Sequence, residues 1–154
     1  MDTKKEKLED FKTAISSTVR SISNSKKIEV SFGNQTPKSE KNSIKLSELN
    51  QINNKLNFDQ IRAEADSKSL NFRFSNDKTF KQYEPTGNIS KKLYEISEKI
   101  RCEKIGTSYF RGVKNNIEKF YQERISGLDL KNSEDRIIES FENYLRTKFL
   151  DFKN

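Results

Sequence analysis

Apolar residues recur at three- and four-residue steps through most of this chain, and that period confines it to a largely helical fold. Over residues 3–23, Leu8, Phe11, Ile15, Val19 and Ile22 share one face of a helix. Asn57, with Gln60 three residues on, predicts the capped start of a second helix. That helix carries Phe58, Ile61, Ala65, Leu70 and Phe72 and runs to about Phe74. Ser90 predicts the cap of a third, with Leu93, Ile96 and Ile100 as its stripe and an end near Ile105. Residues 108–125 continue the pattern through Phe110, Val113, Ile117 and Phe120 or Tyr121, and Gly127 marks a stop. Ser133 predicts the cap of a last helix, whose apolar positions are Ile137, Ile138, Phe141, Leu145 and Phe149. Residues 75–89 contain Pro85 and Gly87 and read as irregular.

One stretch breaks the period. Residues 27–32 alternate strictly, so Ile28, Val30 and Phe32 face one side of a strand that Gly33-Asn34 ends. Beyond a polar loop, Ile44 and Leu46 alternate again and predict a short antiparallel partner. Such a ribbon is marginal alone and must pack on helices. The expected fold is therefore mainly α with a small β-ribbon. It is one compact domain over residues 1–154, with about five helices and a short antiparallel hairpin.

The apolar supply is thin, at 31% hydrophobic against 34% charged, so the core leans on a few large side chains, including 11 Phe. The chain has no His, which excludes Ser-His-Asp and Cys-His catalysis and His metal sites. Cys102 is the single Cys, which excludes an internal disulfide and a Cys-rich zinc site. No apolar run is long enough to span a membrane, and Met1 to Lys7 is charged, so a reduced cytoplasmic setting is expected. The net charge is +7, but the Lys residues are mixed with 23 acids and read first as a solvated surface. The alternative is a basic helical nucleic-acid-binding module, which needs the cations clustered on one face.

No phosphate-binding loop of the G-x-x-x-x-G-K-[ST] type occurs, so ATP hydrolysis by this chain alone is not expected. Asp66-Ser67-Lys68-Ser69 approaches the D-x-S-x-S metal motif of integrin-like domains. Its spacing is off by one residue and it sits in a helical pattern, so Asp66 and Ser67 read as helix surface or local hydrogen bonding. The densest segment runs from Glu98 to Gly106. There Glu98 and Arg101, three apart, can pair on one helix face, whereas Glu103 points well away from Glu98. These carboxylates do not converge for acid–base work, and no catalytic or metal residue is predicted. Cys102 reads as a small packing residue, and the aromatics Tyr94, Tyr109, Phe110, Phe120 and Tyr121 read as core.

These segments together resemble the N-terminal region of the CobT family, a subunit of aerobic, ATP-dependent cobaltochelatase. The opening helix is followed by Ile28-Glu29-Val30-Ser31-Phe32-Gly33. Ala65-Asp66-Ser67 with Leu70 and Phe72 is similar to the family's A-D-S-x-x-L-x-[LF]. Tyr94 through Gly106 resembles F-D-x-x-E-Q-x-R-x-E-x-I-G, with Glu98, Arg101, Glu103, Ile105 and Gly106 at matching positions. Phe110, Gly112, Val113, Asn116 and Ile117 resemble M-x-G-V-x-x-N-L. The resemblance covers most of residues 8–125, and the third and fourth segments are its specific part. It departs at Phe74-Ser75-Asn76-Asp77, where family members often carry His, so no role of those histidines carries over.

The resemblance implies a part in inserting cobalt into hydrogenobyrinic acid a,c-diamide during cobalamin biosynthesis. ATP, Mg and cobalt are used by the complex, with no cofactor of this chain's own. The implied partners are an AAA+ subunit and a large tetrapyrrole-binding subunit. The family chain also has an acidic linker and a C-terminal integrin-like metal domain, neither of which lies in residues 1–154. The chain is then the N-terminal domain of a longer protein, or a split or truncated version, and its own acidic linker is a further possible partner. On this reading the chain is a non-catalytic assembly or regulatory domain. Glu98, Arg101, Glu103, Gly106, Gly112, Asn116 and Asp66 are its structural or partner-binding motif residues. The two Gly residues are expected to permit close approach between elements.

Overall fold

A computed structural model describes residues 2–52, 55–130 and 132–152. The chain divides into two compact units, Met1–Arg73 and Phe74–Asn154.

In the first unit, α1 (Asp2–Ile22) and α2 (Phe58–Phe74) flank the strands β1 (Glu29–Phe32), β2 (Ser43–Leu46), β3 (Gln51–Ile52) and β4 (Lys55–Leu56). The stripe of α1 does what its period predicts. Ile15 and Val19 join Ile28, Phe32, Ile44, Leu46, Ile61 and Ala65 in one core, and at its margin Phe11 packs tilted against Phe58 with ring centroids 4.2 Å apart. Asn57 stands at the expected position just before α2, and its side chain reaches back along the chain. Its side chain takes the Asn50 amide (2.9 Å) and donates to the Glu48 carbonyl (3.1 Å), tying the preceding turn to the start of α2.

The predicted hairpin is corrected. β1 and β2 pair in parallel, Glu29 with Ser43 through Phe32 with Leu46. The only antiparallel pairing among the described residues is between β3 and β4. Alternation shows which side of a strand is buried, but it is unchanged when the strand is reversed. The loop after β1 settles the direction, because it is long enough to carry the chain back beside the start of β1. It is held there by hydrogen bonds. The Lys38 amide donates to Glu29 (2.8 Å), and the Phe32 amide donates to the Gln35 side chain (3.0 Å). Gly33 turns the chain at φ +60°, where a Cβ would sit 3.0 Å from the Cβ of Glu48. The outer edge of β2 is covered by α2. Lys68 Nζ donates to the Lys45 carbonyl (2.6 Å), Glu64 accepts from the Ser47 amide (3.0 Å), and the two side chains pair with each other at 2.7 Å. An edge closed in this way offers few free groups to a passing strand.

The second unit holds α3 (Asp77–Gln82), α4 (Asn88–Thr107), α5 (Arg111–Ser126) and α6 (Ser133–Leu150). Six helices are therefore present among the described residues, not about five. The extra one is α3, a single short helix that Asn76 caps by accepting from the Thr79 amide. It lies inside the stretch expected to be irregular, and its six residues are too few to show a period. Two caps also shift. α4 begins after Gly87 (φ +105°), not at Ser90, and α6 is capped by Asn132, whose side chain accepts from the Asp135 amide. Gly127 follows α5 as expected.

On α6 the buried face is not the apolar one. Glu142, Arg146 and Leu150 are buried, while Ile137 is 51% and Phe149 50% exposed. The helix is turned to serve an ion-pair network, and that network is where the site begins.

Candidate functional site

The second unit is built around charges. Arg146, only 2% exposed, donates to Glu103 of α4 at 2.5 Å and to Glu142 one turn back at 2.9 Å. Glu142 also accepts from Arg124 of α5 at 2.8 Å. Arg124 forms a two-pronged pair with Glu139, at 2.7 and 3.1 Å. The ring of Tyr121 lies under both cations, 4.7 Å from the Arg146 guanidinium carbon and 5.2 Å from that of Arg124. The ring of Phe152 also lies against Arg146, at 5.7 Å, beside that of Tyr121. Burial pulls the Arg146 pKa down, but Glu103 and Glu142 outweigh it and hold the group above its ordinary value. The guanidinium stays charged, and α4, α5 and α6 are joined through it.

Tyr121 completes this cluster at a cost. Its hydroxyl is buried without a hydrogen-bond partner among the described residues. Burial, reinforced by Glu142, pushes its pKa up to about 12. A phenol whose folded pKa is raised stabilises the fold below its ordinary value and loses that contribution as pH climbs through the raised one. Tyr121→Phe removes the unpartnered hydroxyl and the titration together. It is expected to be neutral or stabilising by about 1 kcal/mol at pH 8. Its advantage in melting temperature should widen from about pH 10 upward, and a clear loss at pH 8 would show that the hydroxyl is needed.

The expected motif residues fall on three helices, α2, α4 and α5. Glu98 and Arg101 do pair, at 2.7 Å, on the exposed side of α4. Arg101 also donates to the Phe74 carbonyl at 2.8 Å, and Glu98 accepts from Ser75 at 2.7 Å. The hydrogen bond from Arg101 holds the Glu98 pKa below the usual carboxylate range. Glu103 lies away from them, fully buried in the ion network. Gly106 is buried near the end of α4, and Asn116 is half-buried on α5. Asp66 belongs to the other unit, where it and Ser67 are buried in α2 rather than lying on its surface.

Gly112 does not allow a close approach within this chain. It is exposed in the first turn of α5, and a Cβ there would meet nothing within 4 Å. Gly112→Ala is thus expected to raise stability by up to about 1 kcal/mol, read by thermal or urea unfolding. Destabilisation would show that the position is packed. Of the aromatics assigned to the core, Tyr121 is buried, Tyr94 stacks on Phe80 with centroids 4.5 Å apart, and Tyr109 is exposed. Cys102 is buried. Burial first, then the Glu98 charge, pushes its pKa up to about 11, the opposite of an activated thiol.

Sequence reading missed Arg124, Glu139, Glu142 and Arg146. A signal was present in α4, where Ile96, Ile100 and Glu103 fall at four- and three-residue steps. A carboxylate on an apolar stripe points to a buried partner.

Beside Arg101 a groove of about 290 Å³ opens between α4 and α6. Ile100, Ile105, Leu145 and Phe149 give it apolar walls, and Arg101 and Lys104 stand at its rim. Its apolar walls and basic rim suit an apolar side chain flanked by acidic groups. Among the described residues no three potential ligands gather to hold a metal ion, and no helix is long and apolar enough to cross a membrane. Lys and Arg outnumber the acids in both units, 14 against 10 in the first and 16 against 13 in the second.

No solved structure matches the chain. The family model described as "Cobalamin biosynthesis protein CobT" matches residues 5–145, which take in every motif residue and, of the ion-pair network, Glu103, Arg124, Glu139 and Glu142 but not Arg146. The chain belongs to the CobT family.

Proposed function

We propose that this chain is a non-catalytic assembly domain of an ATP-dependent cobaltochelatase, and that it holds the AAA+ subunit at the groove between α4 and α6. The observation that carries the reading is the state of Arg101. Its guanidinium is half-exposed, held by Glu98 and the Phe74 carbonyl, and set at the rim of an apolar groove. An exposed cation fixed by such bonds is prepared to meet an acidic group with little loss of side-chain freedom. The large tetrapyrrole-binding subunit and cobalt insertion into hydrogenobyrinic acid a,c-diamide belong to the same proposal at the level of the whole complex. An acidic linker segment of the same protein fits the groove's chemistry less specifically, through charge alone.

The test is a pull-down of the purified chain with the AAA+ subunit, with and without ATP, at low and moderate salt. Binding that survives moderate salt is expected, because the groove supplies apolar contact beyond screened charge. Binding only at low salt, or none, would contradict the proposal.

A further inference from the structure

The outer side of α6 carries a pattern that the ion-pair network does not use. Ile137 is 51% and Tyr144 62% exposed, and with Phe141 they stand at four- and three-residue steps along one seam. Glu134 lies three residues before this seam and Lys148 four after it, both exposed. The helix dipole favours an acid at the start and a base at the end of any helix. It gives no reason for large apolar side chains to stand in water between them.

About Phe141 the pattern is symmetric in position and opposite in charge. Glu134 and Lys148 are each seven residues away, and Ile137 and Tyr144 lie four before and three after it. A helix of this kind complements itself when it meets a copy running the other way. Apolar side chains then face apolar ones, and each Glu134 faces the partner's Lys148. Running the same way, like charges would meet at both ends. A two-fold axis produces the first arrangement from one kind of chain.

We propose that the outer face of α6 is a homodimer interface, in which two copies of the chain pair antiparallel along Glu134, Ile137, Phe141, Tyr144 and Lys148. The proposal does not rest on the chelatase reading. An 18-residue helix is about 27 Å long, so the contact belongs with small interfaces, and association in the micromolar range is expected.

The test is sedimentation velocity of the whole chain over a wide micromolar range. The wild type should show a concentration-dependent monomer–dimer equilibrium, and Tyr144→Glu should be monomeric. Glu134→Lys and Lys148→Glu should each weaken the dimer by about tenfold or more, since each sets like charges together at both ends. An equimolar mixture of those two variants should regain the dimer, because every end then meets its opposite. All three substitutions are at exposed positions, and unchanged far-ultraviolet circular dichroism confirms that the variants fold. A wild type that stays monomeric, a dimer that persists in Tyr144→Glu, or a mixture that stays monomeric would each overturn the proposal.

Discussion

Arg146→Ala is expected to lower the stability of the second unit by about 3–5 kcal/mol, measured by urea unfolding. The substitution leaves Glu103, 0% exposed, as a buried charge without the cation it is bonded to at 2.5 Å. It also takes one of two cations from Glu142 and uncovers the faces of Tyr121 and Phe152. The size of the loss comes from the charge left behind, not from the worth of the pair. The double variant Glu103→Leu/Arg146→Met removes the pair and fills its space, so it is expected to recover much of the loss. If Arg146→Ala costs less than about 1 kcal/mol, the network is solvated in solution and does not hold the three helices. By contrast Arg101, whose side chain is 48% exposed, should cost only about 0.2–1 kcal/mol when truncated.

Leu46→Ala is the second large effect, expected to cost about 2–5 kcal/mol. Leu46 is 1% exposed and shares its core with residues of α1, β1 and α2, so the cavity is walled on several sides. Its neighbour Lys45 is exposed and contributes its backbone carbonyl, which Lys45→Ala keeps. That variant should change stability by no more than about 0.5 kcal/mol. Unfolding curves of the two side by side test the strand's facing directly. Similar losses at both positions would mean that β2 is not seated as described.

Those two sites also mark how far the sequence could be read. The facing of Leu46 and Ile44 follows from alternation, and the stripe of α1 from its period, because burial is a property of side chains. Strand direction depends instead on the loop between them, whose bonds from the Lys38 amide and to the Gln35 side chain carry no periodic signal. The short α3 depends on one cap at Asn76. The harder failure was α6. Counting apolar residues placed Ile137 and Phe149 inside, whereas the helix turns Glu142 and Arg146 inward. Ion pairs between helices combine residues distant in sequence, so each charge alone reads as surface. At the candidate site, the pairing of Glu98 with Arg101 was legible from spacing. The groove beside it was not, because Leu145 and Phe149 join it from another helix.

The role of α4 rests on whether Arg101 serves binding rather than folding. The direct measurement is the affinity of the AAA+ subunit for three chains, the wild type, Arg101→Glu and Lys104→Glu, with melting temperatures taken in the same buffer. The account predicts at least about tenfold weaker binding for each reversal, as expected when like charges are set against an acidic partner, with melting nearly unchanged. Equal affinity across the three chains, with melting unchanged, would contradict it.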